Sequence, residues 1–349
     1  MLPLISVIVP FRNARAQLSA LVDALGCQRY PHDAVEVIWI DDGSSDGGEA
    51  WLRKQLLPGW RLLIHPRPLG AYAARNTGLD AATAANVGFT DVDCTPRPDW
   101  LERGLAALAS VPRVAGRVHL ELSATPSTAE LVDAGRFFRQ SRYVQEGFGA
   151  TANLFVRRAV FDSVGRFDDR LKSGGDYEFG QRCTRSGFPI RYAEDVVVNH
   201  PARASLRELL SKSERVGFGT GQLVRRGGIP VRSLASRAAD RLALARRRGT
   251  TERSIPAVDR TRSLAVSGVH SLVLLATMAG SLRGLLFPGA APRHNQQLKT
   301  VTHERTELFP DHRNSESFAG GPRRVADNAG DAGDPVAVAD TGERGAHRR

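Results

Sequence analysis

The sequence predicts an α/β fold built on a mostly parallel sheet flanked by helices, and three observations carry that prediction. Short apolar, β-branched runs (Leu4–Pro10, Val35–Ile40, Trp60–Ile64, Val87–Phe89) alternate with segments of helical spacing through the first quarter of the chain. Such alternation marks βαβ units, whose right-handed crossovers bring the carboxyl ends of the strands to one edge. The strands also close on Pro10, Asp41, Asp42, Asp91 and Asp93, at the edge where open α/β sheets receive ligands.

Composition sets the bounds. The 349 residues, 42% apolar and 24% charged, have the balance of a globular protein with room for one large or two modest domains. Cys27, Cys94 and Cys183 show no metal-ligand spacing and are too few for a disulfide framework, so a reduced, cytoplasmic setting is expected. No basic-then-apolar leader opens the sequence. The net charge of +11 is concentrated: Arg203 to Arg262 holds fifteen basic and five acidic residues, a local balance of +10. Such a block suits anionic lipid headgroups or a solvated helical face. Nucleic acid is not expected as a partner, because the block lacks interleaved aromatics and any named nucleic-acid motif.

In chain order, Leu4–Pro10 reads as a buried parallel strand and residues 16–25 as a helix. Val35–Ile40 is a second strand that runs into the acid-rich turn Asp41-Asp42-Gly43-Ser44-Ser45-Asp46. This turn is not G-x-G-x-x-G, and no Walker pattern occurs in the chain. Its carboxylates suit hydrogen bonds from a base N–H or a ribose hydroxyl, or equally an Asx-turn with a helix cap. A helix over 49–57, a strand over 60–64 and a helix over 71–82 follow, the last carrying Arg75 within reach of a nucleotide or of the carboxylates. The next strand ends in Asp91-Val92-Asp93. Residues i and i+2 of a strand share a side, so both acids are expected to face one pocket. Two hard oxygen donors favour Mg²⁺ or Mn²⁺, and such an ion favours a phosphate; a polar turn after a strand is the plainer alternative.

In order and spacing, Val7-Ile8-Val9-Pro10, Asp41 to Asp46, Ala74-Arg75-Asn76-Thr77-Gly78 and Asp91-Val92-Asp93 resemble the family 2 glycosyltransferases, inverting nucleotide-sugar enzymes of the glycosyltransferase A-type fold. The resemblance covers about residues 3–203. It implies a catalytic domain over 1–203, with a nucleotide-sugar half (1–100) and an acceptor half (101–203). It further implies that the Pro10 backbone, Asp42 and Arg75 line a uridine site with Asp41 close by, and that Asp91 touches ribose or metal. Asp93 would bind the Mn²⁺ or Mg²⁺ that bridges the two phosphates of the donor, most often a UDP-sugar.

In the acceptor half, a helix opens near Trp100 and residues 114–122 alternate like a strand. Gly147 to Val156 resembles the family's glycine-rich acceptor loop, in which Gly149 lets backbone approach a sugar. By the resemblance, Gly149, Asn153 and Arg182 contact the acceptor. Two glycines then precede Asp176 at a helix start; a cap accounts for an acid there, but in the family this is the general-base position. It is usually Glu-Asp with an Arg six residues on; here the Glu position is Gly175, Asp176 is the expected base, Glu178 the alternative, and Arg182 keeps the spacing. Two short strands follow over 190–192 and 196–201, and His200 is by resemblance a metal or phosphate ligand. Between Leu122 and Gly149 no signal is readable.

Beyond Arg203 the resemblance fades. Helices are expected over 206–223 and 231–248, parted by Gly227-Gly228-Ile229-Pro230. Leu264–Leu282 is 19 residues without a formal charge, near a bilayer's span, although its Ser, Thr, Gly and His content suits an in-plane helix as well. The expected architecture is therefore a basic helical extension over 204–287 in contact with an inner membrane leaflet, peripheral on or anchored in the cytoplasmic face. A polar, disordered tail over 288–349 follows. The expected function is metal-assisted, inverting transfer of a sugar from a nucleotide diphosphate donor to a hydroxyl of a glycan, lipid or small molecule, with Asp176 as base. The other reading is a nucleotide-sugar-binding scaffold of the same fold without catalysis.

Overall fold

Residues 5–230, 260–287 and 299–302 are described by a computed structural model. The amino-terminal part alternates as expected: β1 (Ile5–Phe11), α1 (Arg15–Gly26), β2 (Val35–Asp41), α2 (Gly48–Arg53), β3 (Trp60–Ile64), α3 (Ala71–Ala81) and β4 (Asn86–Thr90). Next come β5 (Thr95–Pro96), α4 (Trp100–Leu108), β6 (Arg113–Glu121), α5 (Thr128–Arg136), α6 (Gln140–Gln145) and β7 (Asn153–Arg157). The chain continues through α7 (Arg158–Val164), α8 (Gly175–Arg185), β8 (Ile190–Pro201), α9 (Leu206–Arg225), α10 (Arg260–Leu286) and β9 (Lys299–Thr302). One sheet takes up all these strands in the order β5-β8-β6-β7-β4-β1-β2-β3-β9. The block β3-β2-β1-β4 is parallel throughout. Past β4 the sheet is mixed: β7 pairs antiparallel with β4 and β6, and β5 with β8, while β6 and β8 are parallel.

The period-two pattern of the parallel strands sorts their apolar residues onto two faces. Val7 and Val9 of β1 and Val37 and Trp39 of β2 pack with Leu18 and Leu21 of α1 and Trp100 of α4. Ile8, Ile38 and Ile40 pack on the other side with Leu79 of α3 and Phe179 of α8. A strand covered on both faces must be apolar nearly throughout, which is why these runs were conspicuous in the sequence.

Four expectations need correction. β4 ends at Thr90, and Asp91 to Cys94 form a turn closed by the Cys94 N–H on the Asp91 carbonyl (3.0 Å); strand alternation therefore does not set the directions of Asp91 and Asp93. The two strands expected over 190–201 are one, because Ala193 pairs with Gly116 and Val197 with Arg117, and residues 194–196 are absorbed in a bulge. The stretch without a readable signal, 122–149, holds α5 and α6; α5 opens with a capping box between Ser127 and Glu130. Within the span expected as a disordered tail, Lys299–Thr302 pairs antiparallel with β3. The rest of that span, and the helix expected over 231–248, lie outside the described residues.

At the carboxyl-terminal side, α9 and α10 touch backbone to backbone. A Cβ on Gly217 would sit 2.0 Å from the Thr277 carbonyl oxygen, and one on Gly284 2.0 Å from that of Phe218. Only glycine permits so close an approach, the habit of small-residue helix interfaces. Gly217 meets Thr277 and Gly221 meets Ser281, so the two helices run in the same direction. The small and polar residues of α10 thus face α9, while Leu264, Leu275, Met278, Leu282 and Leu286 stay exposed. Leu264–Leu286 (23 residues, mean hydropathy 1.6) is long and apolar enough to cross a membrane, by length and composition.

Candidate active site

A cavity of about 2270 Å³ is lined by the ends of the parallel strands. Pro10, Asp42, Arg75, Asp91 and Asp93 reach it from the first half of the chain, and Asp176 and His200 from α8 and β8. Acids separated by most of the catalytic region therefore share one enclosure, and each has a partner that offsets its neighbours' repulsion.

At the end of β2, Asp41 is buried and accepts the Ser44 N–H (2.9 Å). Burial pushes its carboxyl up, partly offset by Ser44. It holds the turn and does not line the cavity. Asp42 accepts the backbone N–H groups of Leu69 and Gly70 and the His65 ring nitrogen Nδ1, each at 2.8 Å. A carboxylate only accepts, so Nδ1 carries the hydrogen, and Nε2 accepts from the Thr77 hydroxyl at 3.0 Å. Asp42 thus ties the end of β2 to the start of α3, an anchoring job that its position in an acidic turn did not disclose. Arg75 is buried and pairs with Asp91 (2.5 Å). Its Nε is buried without a partner among the described residues, and the residue is part of the cavity lining.

At the corner that holds Asp93, His200 Nε2 lies 3.2 Å from a carboxylate oxygen of that residue. The His200 ring is buried, packs on Phe138 (centroids 4.8 Å apart), and places Nδ1 2.7 Å from the Pro201 carbonyl oxygen. Nδ1 therefore carries the hydrogen, and a neutral ring presents its Nε2 lone pair to the carboxylate. Two lone pairs at that distance repel unless a cation joins them, either a proton on Nε2 or a metal. Burial raises the Asp93 carboxyl, but the hydrogen bond and charge of His200, aided by Arg203, outweigh it and hold the group well below the usual carboxylate range.

Asp176 sits at the first turn of α8, half-buried on the cavity wall. Burial pushes its carboxyl up, against the opposing Tyr177 N–H (2.9 Å), the charge of Arg75 and the Tyr72 hydroxyl (3.3 Å). The departure at Gly175 has a structural counterpart: a Cβ there would lie 2.8 Å from the Tyr72 ring. The ring fills the space of the absent side chain and donates its hydroxyl to Asp176. Tyr72 was missed in the sequence because its partner lies on another element, far along the chain.

The other expected site residues do not line the cavity. Glu178 is engaged by Arg182 (2.7 and 3.0 Å), and Arg182 also donates to the carbonyls of Val164 and Arg166. Asn153 is fully buried, accepts the Trp100 indole N–H and donates to the carbonyls of Arg117 and Val196, each at 2.9 Å. Gly149 is packed so closely that a Cβ would fall 2.7 Å from that of Ala115. These four residues lie outside the cavity lining, which includes Phe148 and Ala150. A further group went unread: fully buried Asp133 holds Lys212 (3.3 Å) and Arg203 (3.4 Å), and Lys212 lies 4.0 Å above Phe137. The S-x-x-E signature at Ser127 was the available pointer to α5, which carries Asp133.

Residues 6–165 match the family described as Glycosyl transferase family 2. Glycosyltransferase AglE of Haloferax volcanii is 36% identical over 227 residues, covering 64% of this chain and 74% of AglE. The pre-mycofactocin glycosyltransferase of Mycobacterium tuberculosis is 29% identical over 230 residues, covering 63% of this chain and 47% of that protein. Among solved structures, the mannosyltransferase PcManGT of Pyrobaculum calidifontis in complex with GDP-Man and Mn²⁺ aligns with a TM-score of 0.56 at 18% identity, over 82% of this chain and 88% of its own. That likeness is one of fold, the glycosyltransferase A-type.

Proposed function

The chain belongs to the family 2 glycosyltransferases, and on that premise we propose that it moves a sugar from a nucleoside diphosphate donor to a hydroxyl acceptor with inversion at the anomeric carbon. The observation that carries this reading is the convergence of Asp91, Asp93, Asp176 and His200 on one cavity, where His200 beside Asp93 at 3.2 Å holds that carboxyl low while burial pushes the carboxyl of Asp176, on a separate element, up. Pushing the pKa values of two acids apart is how a site separates electrostatic from proton-transfer roles.

Asp176 accepts the proton of the attacking hydroxyl as the new bond forms. Its raised pKa makes it a better base than an ordinary carboxylate, and Tyr72 and the Tyr177 N–H hold it in place. Arg75, oriented by Asp91, supplies positive charge on the cavity wall for the donor's phosphates. Pro10 and Asp42 form the nucleoside end, with UDP-sugars the first donors to test.

The residues present fit a divalent cation: a hard carboxylate, an imidazole whose Nδ1–H is held by a carbonyl as in metal-bound histidines, and a lone-pair repulsion that a cation relieves. Asp93 and His200 would hold it; no group of three or more potential ligands occurs among the described residues, which leaves other positions to phosphate oxygens and water. A cation held by these two residues would supply charge neutralisation to the departing diphosphate.

The exposed leucines of α10, beside a segment of +10 balance, support contact with the anionic inner leaflet. The test of function is release of nucleoside diphosphate from UDP-, dTDP- and GDP-sugars, GDP-mannose included, with Mn²⁺ or Mg²⁺ and with product anomer read by NMR. One donor is expected to turn over with inverted configuration; release from none, or retained configuration, contradicts the proposal.

A further inference from the structure

Beside the reaction cavity a second recess of about 580 Å³ opens at the first turns of α9, sharing Arg203, Ser211, Lys212 and Arg215 with the larger one. Arg207 completes its basic wall, and Glu208 is its one acid. The buried carboxylate of Asp133 is already divided between Arg203 and Lys212. Arg207 and Arg215 are exposed and form no ion pair among the described residues. The recess therefore holds positive charge that the described residues do not neutralise. The state of Lys212 agrees: burial, reinforced by the charges of Arg203 and Arg215, pushes its ammonium down to about 7 although Asp133 pulls the other way.

Guanidinium forks match the oxygens of a phosphate in geometry and charge. We propose that this recess binds a phosphate group carried by the acceptor, so that the acceptor is a phosphorylated compound whose hydroxyl is presented to Asp176. The inference rests on the sugar-transfer reading. The donor's own diphosphate is assigned to Arg75, Asp93 and His200, whereas the recess is built on the first turns of α9, outside the parallel nucleotide half; Arg203 is tied to both, since its charge also acts on Asp93. Two sources carry this chemistry. A lipid phosphate would lay its tail on the exposed leucines of the neighbouring α10; a sugar phosphate would need the recess alone.

The test is calorimetric titration of the full chain with two matched pairs, farnesyl phosphate against farnesol and glucose 6-phosphate against glucose, alongside the donor nucleotide. In one pair only the phosphorylated member is expected to bind, and Arg207→Ala with Arg215→Ala to weaken it about tenfold or more, from the loss of two charge-assisted contacts. The corresponding double lysine variant is expected to recover part of that loss, and both double variants to melt with the unaltered protein, since the side chains are exposed. Donor-nucleotide affinity is expected to stay within about twofold, since those arginines lie outside the donor contacts. The responsive pair identifies the lipid or the soluble source. Equal binding within both pairs, or no loss in the alanine variant, overturns the proposal. A matching loss of nucleotide affinity overturns it too, by giving the recess to the donor. Failure of the unaltered protein to bind any nucleotide sugar sinks the sugar-transfer reading instead, and leaves the phosphate result legible.

Discussion

The Asp93 corner and the Asp176 corner of one cavity make opposite use of the same side chain. Asp93 is half-buried beside the buried ring of His200, with Arg203 acting at longer range, and these charges more than offset its desolvation. Asp176 is surrounded chiefly by a tyrosine hydroxyl and a backbone N–H, with Arg75 shared with Asp91, and its desolvation is left uncompensated. A carboxylate committed to staying charged is of little use as a base, and a carboxylate eager for a proton is a poor anchor for a cation. The difference between the corners lies in what surrounds each acid, not in the acids themselves.

The largest expected effect comes from removing the charged pole. Asp93→Ala is expected to lower metal-supported nucleotide release about 10³-fold or more, the scale of several kcal/mol of lost charge stabilisation. Unchanged release would end the assignment of that corner. Replacing the alternative base is expected to do far less: Glu178→Gln, which breaks a partly exposed ion pair with Arg182, should keep the transfer rate within about fivefold and cost a few tenths of a kcal/mol in a denaturant melt. A large kinetic defect there would exchange the roles of the two α8 acids.

The smallest effects are in stability and carry opposite signs. Asp93 is depressed in the folded state, so its contribution is present above the unfolded value of about 3.9 and lost as pH falls through the folded one. Asp176 is raised, so its ionisation costs stability above its folded value, and that cost vanishes below about pH 3.9. In chelator at pH 7, Asp93→Asn is therefore expected to lower the melting temperature and Asp176→Asn to raise it, each by roughly a few degrees. Shifts of the same sign would erase the contrast.

The parallel half of the fold was legible because strands covered on both faces leave no choice but apolar, β-branched runs, and acids punctuate their ends. Of the seven residues that meet around the cavity, six lie at or just past a strand end or in the first turn of a helix, while Arg75, inside α3, was named through the family resemblance. What was hidden depended on distant partners. Tyr72 lies 104 residues from Asp176, and Lys212 lies 79 from Asp133; no local pattern announces such pairs. The bulge in β8 arises from its register against Gly116 and Arg117, a tertiary matter. Glu178, Asn153 and Arg182 have the residue types of a site, but their hydrogen bonds are spent on the scaffold. Helix α5 differs, since its Ser127–Glu130 capping box is a local pattern present in the sequence.

The most direct test of the central claim is single-turnover transfer by Asp176→Asn beside calorimetric titration of its donor. Asparagine keeps the shape and the Tyr177 N–H contact while removing the basic oxygen. Transfer is expected to fall by about 10² to 10⁴, the usual worth of a positioned base, with donor affinity within about threefold of the unaltered enzyme. Transfer at the unaltered rate, or a loss explained wholly by weaker donor binding, would contradict it.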